Sequence, residues 1–185
     1  AALLCVVMGC TTLGQGFSAA AADSATSEEA VEINFAKALQ MSLYFYDANK
    51  CGSGITGGNL EWRGDCHTED AAVPLKPMGE DYKGTNLSQE FIDAHRDILD
   101  PDGDGTIDVA GGMHDAGDHV KFCLPGSYAA STLGWGYYEF RDAYVDSGQQ
   151  WHIEDILHWF NDYYLKWTYF DENGDILAFC YQVGE

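Results

Sequence analysis

Apolar residues recur at helical spacing in the second half of the chain, and this periodicity restricts the fold more than any other feature. One segment has them at offsets of four, seven and eleven residues: Leu133, Tyr137, Phe140 and Tyr144. A second segment repeats the spacing at Ile153, Ile156, Leu157, Phe160, Tyr164 and Trp167. Ser147-Gly148 suits a short connection between them, so the pattern predicts an antiparallel helical hairpin that begins near Pro125.

Other parts of the chain also carry helix and turn signals. Asn34 is placed to cap a helix that Gly52 follows, with Phe35 on its apolar face. A shorter helix is predicted within 88–99, between stretches rich in proline and glycine. Asn173-Gly174 predicts a turn, followed by an extended segment over 176–183.

The composition excludes some classes of partner. The chain has 185 residues, of which 46% are hydrophobic and 14% aromatic, enough for a packed globular core. Nine basic and thirty acidic residues give a net charge of −21. This charge repels nucleic acid and anionic membrane surfaces, so a neutral ligand is the favoured partner.

The first 22 residues have the character of a secretory signal. An apolar run over 1–13 is too short to cross a bilayer, and the small residues at 18–22 suit a signal peptidase. We therefore expect residues 1–22 to be a signal-peptide remnant, 23–33 to be a lead-in, and the protein to be secreted and extracellular. A disordered or buried terminal segment is the alternative, and a lipid anchor through Cys10 is disfavoured by Met8.

Export would leave four cysteines in an oxidising compartment: Cys51, Cys66, Cys123 and Cys180. A disulfide between Cys51 and Cys66 would close a glycine-rich loop, although both could equally remain thiols. The spacing lacks a Cys-x-x-Cys or Cys/His zinc pattern, so a metal at the cysteines is not expected.

The densest group of chemically useful residues is the run Gly111-Gly112-Met113-His114-Asp115-Ala116-Gly117-Asp118-His119. Asp115 and Asp118 are separated only by small residues, which would let both carboxylates reach one water molecule. Such a pair suits a general base, and a proton donor would then come from another part of the chain. A solvated acidic turn is the alternative interpretation.

The run DAGDHVKF (115–122), followed by Leu124-Pro125 and an aromatic helix up to Tyr144, resembles glycoside hydrolase family 9, the inverting cellulases. Trp62-Arg63-Gly64-Asp65 and Tyr181-Gln182-Val183-Gly184 are similar to that family as well. The resemblance implies an all-α fold, part of an (α/α)6 barrel, with 34–185 as the N-terminal part of the catalytic domain.

The resemblance also implies the chemistry: endo-hydrolysis of β-1,4-glucosidic bonds in cellulose or a related β-glucan, with Asp118 as general base and Asp115 helping to hold the water. Met113-His114 stands where the family often has two aromatic residues, and Cys123 where glycine is common. The family's catalytic glutamate lies downstream of residue 185. The resemblance therefore implies that this chain alone is inactive.

A second acidic run resembles the first part of an EF-hand loop, with Asp100, Asp102 and Asp104 at positions 1, 3 and 5 and Asp108 at position 9. Gly111 occupies position 12, where a bidentate carboxylate is usual. A structural calcium is one interpretation of this run and an acidic turn is the alternative. The chemistry itself is expected to require no cofactor. The rival function is a non-catalytic, calcium-dependent carbohydrate-binding or scaffold protein.

Aromatic side chains could contact sugar rings by stacking on them. Trp62, in a glycine-rich loop, is the strongest candidate for such a contact, and His114 and His119 beside the aspartates are further candidates. Helical spacing instead favours core packing for the other four tryptophans, which are Trp135, Trp151, Trp159 and Trp167.

Overall fold

The computed structural model describes residues 33–184, so the predicted signal-peptide remnant (1–22) and nearly all of the lead-in (23–33) lie outside the described residues. The helices are α1 Phe35–Asn49, α2 Gln89–Ala94, α3 Arg96–Leu99, α4 Cys123–Glu139, α5 Arg141–Asp146 and α6 Gln150–Lys166, with a 3-10 helix at Thr68–Ala72. The strands are β1 Val73–Pro74, β2 Thr106–Ile107, β3 Lys121–Phe122, β4 Thr168–Phe170, β5 Ile176–Phe179 and β6 Gln182–Val183. They form three antiparallel pairs: β1 with β2, β3 with β6, and β4 with β5.

Helix α1 begins where the sequence predicts, because Asn34 Oδ1 accepts the Lys37 amide at 2.9 Å. Its buried face is centred on Leu43, which packs with α6 residues Ile153 and Ile156. Phe35, which the spacing placed on the apolar face, is exposed.

The predicted antiparallel hairpin is confirmed. The Tyr137 hydroxyl near the end of α4 bonds the Glu154 carboxylate near the start of α6, whereas Gly126 near the start of α4 faces the Tyr164 hydroxyl. The helix starts at Cys123, so Pro125 lies within its first turn rather than at its first position.

The hairpin's first arm is interrupted at Phe140, which ends α4 and precedes α5. The same main core contains Tyr144 from α5 and the α6 residues Ile153, Ile156 and Phe160. The break therefore redirects the chain while Tyr144 still packs edge-on against Tyr137 of α4.

The predicted helix within 88–99 is divided at His95 into α2 and α3, and Ser88 caps the first of them. Asn173-Gly174 forms the predicted turn and joins β4 to β5. The Asp171 carboxylate stabilises this turn by accepting the amides of Asn173 and Asp175, each at 2.9 Å.

The tryptophans differ in burial. Trp167 is fully buried, as its spacing predicts. The prediction of core packing is wrong for Trp135 and Trp151, which are 65% and 59% exposed. Each lies two positions from a residue that packs in the main core, Tyr137 and Ile153, and two positions along a helix lead to the opposite side. Within 33–184, the helices are all too short or too polar to cross a membrane.

A buried polar network joins the end of α1 to the start of α6. Asp47 contacts His152 Nε2 at 2.6 Å, Asn59 Nδ2 at 2.9 Å and Lys50 Nζ at 3.1 Å. Lys50 Nζ also lies 2.5 Å from Asp155. Buried charges of this kind are stable only when paired, so the network fixes how the two helices meet.

The Asp47 carboxylate makes the stability of this junction depend on pH. Burial raises its pKa, but the hydrogen bonds from His152, Asn59 and Lys50 and the Lys50 charge outweigh burial, so the pKa lies below the ordinary 3.8. A carboxyl group with a lowered folded-state pKa stabilises the fold above its unfolded pKa and loses that contribution as pH falls through the folded value. We expect Asp47→Asn to weaken the acid sensitivity of the unfolding free energy below the ordinary carboxyl pKa. Urea titrations of both proteins at several pH values measure it, and equal pH slopes would contradict the assignment.

Candidate active site

Residues 111–121 form a loop, here called the aspartate loop, that projects Asp115 and Asp118 into solvent. The Asp115 amide donates to Val120 O at 3.0 Å, and the His119 amide donates to Ala116 O at 3.1 Å. The Val120 amide in turn lies 3.4 Å from Asp118 Oδ1. The loop is therefore a closed turn from which both predicted catalytic carboxylates are accessible.

The start of the aspartate loop is anchored to the end of α1 and to α6. The His114 amide donates to Asn49 O, and the Cys51 amide donates to Gly112 O, both at 2.9 Å. Trp159 Nε1 donates to the same Gly112 carbonyl at 2.8 Å. Two helices thus hold the backbone immediately before Asp115.

Two glycines allow this anchoring. Gly111 and Gly112 have φ values of 102° and 76°, in the region that favours glycine. A Cβ atom on Gly112 would overlap the ring of Tyr163, so the backbone approaches α6 more closely than any other residue would permit. Gly117 differs, because its surroundings are open.

Four potential metal ligands meet beside the aspartate loop. Donor atoms of Cys51, Cys66, His67 and His114 all lie within 4.8 Å of one another. His67 Nδ1 and His114 Nε2 are buried and have no hydrogen-bond partner within the described part of the chain. Two thiols and two imidazoles are a donor set typical of structural zinc, so the expectation against a metal at the cysteines does not fit this geometry.

The protonation of His114 suits a ligand role. Burial, together with the charges of His67, His119, Arg63 and Lys121, lowers the pKa of His114 to about 4. The imidazole is therefore neutral near neutral pH, the form that binds a metal. This placement turns His114 toward the cysteines, whereas the sequence made it a candidate sugar contact.

The predicted disulfide between Cys51 and Cys66 is not formed, and both are free thiols. The loop that it was expected to close is instead held by paired backbone bonds between Gly52 and Cys66, both at 3.0 Å. Both thiols instead lie beside His67 and His114, with all four donor atoms within 4.8 Å of one another.

The four aspartates predicted to form one calcium site do not all lie together. Carboxylate oxygens of Asp100, Asp102 and Asp104 lie within 4.8 Å of one another. Asp108 instead contacts Lys166 Nζ and the Ala110 amide, both at 2.9 Å, so its assignment to the same site is wrong. Among the described residues, the buried Asp100 Oδ1 has no hydrogen-bond partner.

The remaining candidate sugar contacts are exposed. Trp62 is 72% exposed and precedes Arg63, whose guanidinium donates to Lys50 O at 2.6 Å. His119 is exposed at the tip of the aspartate loop with φ of 60°, and its ring lies 4.9 Å from that of His114. Both remain predictions as substrate contacts.

Known proteins are similar to this chain in sequence and fold. The model of the family described as "Glycosyl hydrolase family 9" matches residues 35–185. Endoglucanase A of Bacillus pumilus is 32% identical, over 78% of this chain and 17% of that protein. The catalytic domain of Clostridium thermocellum CelT is 56% identical with a TM-score of 0.77, over 83% of this chain and 30% of that one. The cellulase Cel9M of C. cellulolyticum, solved in complex with cellobiose, is 34% identical with a TM-score of 0.56, over 84% and 28%.

The chain thus spans less than a third of each of these relatives. Its helical hairpin corresponds to part of the (α/α)6 barrel of the cellulase catalytic domains that it matches. The all-α prediction did not include the three small strand pairs that the structure contains. Given a family match over nearly all of the described residues, the chain belongs to glycosyl hydrolase family 9.

Proposed function

We propose that the protein containing this chain hydrolyses internal β-1,4-glucosidic bonds of cellulose or a related β-glucan, with inversion at the anomeric carbon. One observation carries the proposal: two exposed carboxylates, Asp115 and Asp118, lie on a loop anchored to two helices of a family 9 chain. Cellobiose bound to the similar Cel9M supports a cello-oligosaccharide ligand.

In this mechanism Asp118 is the general base and Asp115 helps to hold the attacking water. The water oxygen forms a bond to the anomeric carbon as its proton passes to the Asp118 carboxylate, and the glycosidic C–O bond breaks. A general acid on the opposite side of the sugar protonates the leaving oxygen. Inverting enzymes place the acid and the base on opposite faces of the sugar, roughly 6.5–9.5 Å apart, and two aspartates this close in sequence are better suited to holding one water together. The resemblance to family 9 implies that the acid is a glutamate downstream.

The surface charge supports the choice of substrate. A net charge of −21 favours a neutral polysaccharide over an anionic polymer. Secretion belongs to the same proposal, since cellulose is too large to enter a cell. Exposed Trp62 and His119 are proposed to contact the sugars.

The test uses the natural polypeptide that contains this chain, assayed on soluble cellulose, mixed-linkage glucan and xyloglucan. Release of reducing ends from soluble cellulose is the expected result, and the relative rates identify the preferred glucan. Calcium-dependent binding of these glucans without any hydrolysis would contradict the proposal and favour the non-catalytic alternative.

We propose that Cys51, Cys66, His67 and His114 hold a structural zinc ion. Zinc bound there would tie the loop 51–67 to the backbone preceding Asp115, because His114 adjoins that residue. Binding to the folded state alone should stabilise it by about 2.7 kcal/mol at a hundredfold excess over Kd. Thermal unfolding with zinc and with a chelator measures this shift.

The chain offers a matched control for zinc. Cys66 and Cys180 are both half-buried free thiols, but only Cys66 belongs to the four-ligand cluster. We expect Cys66→Ser to abolish the zinc-dependent shift and Cys180→Ser to retain it. Equal shifts in both variants would place the metal elsewhere.

We propose calcium at Asp100, Asp102 and Asp104, supported by Asp100 Oδ1, which is buried and has no hydrogen-bond partner within 33–184. Oxygen ligands suit this ion. Calcium should raise the unfolding temperature of the wild type and of Asp97→Asn, an exposed control on α3, but not that of Asp102→Asn. No change in the wild type would overturn the site.

A further inference from the structure

Lys121 is a buried cation at the end of the aspartate loop. Its Nζ lies 2.7 Å from Asp70 Oδ2, 2.9 Å from Val109 O and 3.2 Å from Gly111 O. An ammonium group has three N–H donors, so these three acceptors use its full capacity. Lys121 is only 2% exposed, and a buried charge is stable only with such partners.

The two carbonyl acceptors and the lysine lie at opposite ends of the aspartate loop. Val109 and Gly111 lie where the chain enters it, and Lys121 lies where the chain leaves it. The Val109 amide also donates to Asp70 O at 2.8 Å, so the 3-10 helix is tied to the entering chain. The side chain of Lys121 therefore closes the base of the loop that carries Asp115 and Asp118.

The surroundings make this closure rigid. The rings of Tyr163 and Trp167 each lie 5.6 Å from Nζ, where they limit access of water and interact favourably with the cation. The Lys121 backbone pairs with Val183 in the β3–β6 ladder. Above it, the bond from the Asp115 amide to Val120 O forms a second closure, one residue before Lys121.

We infer that Lys121 is a positioning residue of the proposed hydrolase, which holds the base of the aspartate loop so that Asp115 and Asp118 keep their relation to the attacking water. This inference rests on the proposed function for its catalytic consequence and on the structure alone for its effect on the loop. It assigns Lys121 no contact with substrate.

The first test is Lys121→Met in the natural polypeptide, because methionine has similar length without the charge or donors. Since misplacement of catalytic groups by about 1 Å can cost on the order of 10²-fold, we expect a kcat loss of that order with KM little changed. Asp70→Asn keeps the two carbonyl contacts and an oxygen acceptor, so it should cause a smaller loss in kcat. If Lys121→Met does not fold, kcat and KM of Asp70→Asn are compared with those of the wild type instead.

Two controls separate positioning from a general loss of stability. Lys76→Met removes an exposed pair with Asp81, and Ile92→Val loosens the separate core of Leu75, Ile92 and Leu99. Both should retain kcat at temperatures where they are folded. Hydrogen exchange at the Asp115 amide should be faster in Lys121→Met than in the wild type and unchanged in Ile92→Val.

The outcomes distinguish the two proposals. If the wild type hydrolyses glucans and Lys121→Met folds with wild-type kcat and Asp115 exchange, the positioning role is overturned and the proposed function stands. If the wild type hydrolyses no glucan, the proposed function fails. Accelerated Asp115 exchange in Lys121→Met would then still support the role in the loop, and unchanged exchange would overturn it.

Discussion

Asp118→Asn is expected to lower kcat on soluble cellulose by about 10²–10⁴-fold, the usual contribution of a general base. Asparagine has nearly the same shape and keeps an oxygen where Asp118 Oδ1 meets the Val120 amide. The aspartate loop should therefore stay folded, while the side chain can no longer accept the proton of the attacking water. KM should change little, because the carboxylate acts on the water rather than on the bound sugar.

Asp115→Asn in the same polypeptide is the informative comparison. An amide can still hold water by hydrogen bonds, so we expect a smaller loss in kcat than for Asp118→Asn. Asp142→Asn, at an exposed acid in α5, serves as the control and should have no effect. Full activity in Asp118→Asn with complete loss in Asp115→Asn would reverse the two roles.

Gly112→Ala is expected to lower the free energy of unfolding by about 2–5 kcal/mol. A residue with a side chain at φ of 76° costs about 1–2 kcal/mol. The new methyl group would also overlap the Tyr163 ring, and overpacking of this kind costs about 1–3 kcal/mol more. Chemical denaturation monitored by tryptophan fluorescence measures the sum.

Gly117→Ala is the matched control, since it adds the same methyl group to the same loop. No atom lies within 4 Å of the position that its Cβ would occupy. Substitutions at such open sites usually change stability by about 0.5 kcal/mol or less. Similar losses in the two variants would contradict the role given to the contact between Gly112 and Tyr163.

Sequence reasoning succeeded where a feature depends on neighbouring residues. The Asn34 cap, the turn at Asn173-Gly174 and the connection at Ser147-Gly148 each involve bonds within a few positions. The pairing of α4 with α6 also followed from periodicity, because both helices repeat their apolar residues on one face. The break at Phe140 did not, since the apolar spacing continues across it.

The cluster of Cys51, Cys66, His67 and His114, which we propose to hold zinc, could not be predicted from sequence spacing. Its members come from three separate places, and backbone pairing of Lys50 with Met113 and of Gly52 with Cys66 brings them together. The sequence therefore suggested a disulfide and placed His114 against the sugar. The adjacent Cys66-His67 was the signal within the sequence that could have raised a metal ligand pair.

The partners of the charged residues Lys121 and Asp108 could not be predicted from sequence either, because they are distant in the chain. A lysine three positions after Asp118 is ordinarily solvated, and only the folded chain buries it against Asp70 and two carbonyls. Asp108 fits the spacing of a calcium loop, yet Lys166 of α6 lies close enough to pair with it. Long-range partners of this kind leave no local pattern.

The proposed inverting mechanism is tested most directly by the anomeric form of the first product. Proton NMR detects this form during hydrolysis of a soluble cello-oligosaccharide by the natural polypeptide. If Asp118 activates a water that attacks opposite the leaving group, the α-anomer must appear first and then equilibrate by mutarotation. Initial formation of the β-anomer would require two displacements and would contradict the role proposed for Asp115 and Asp118.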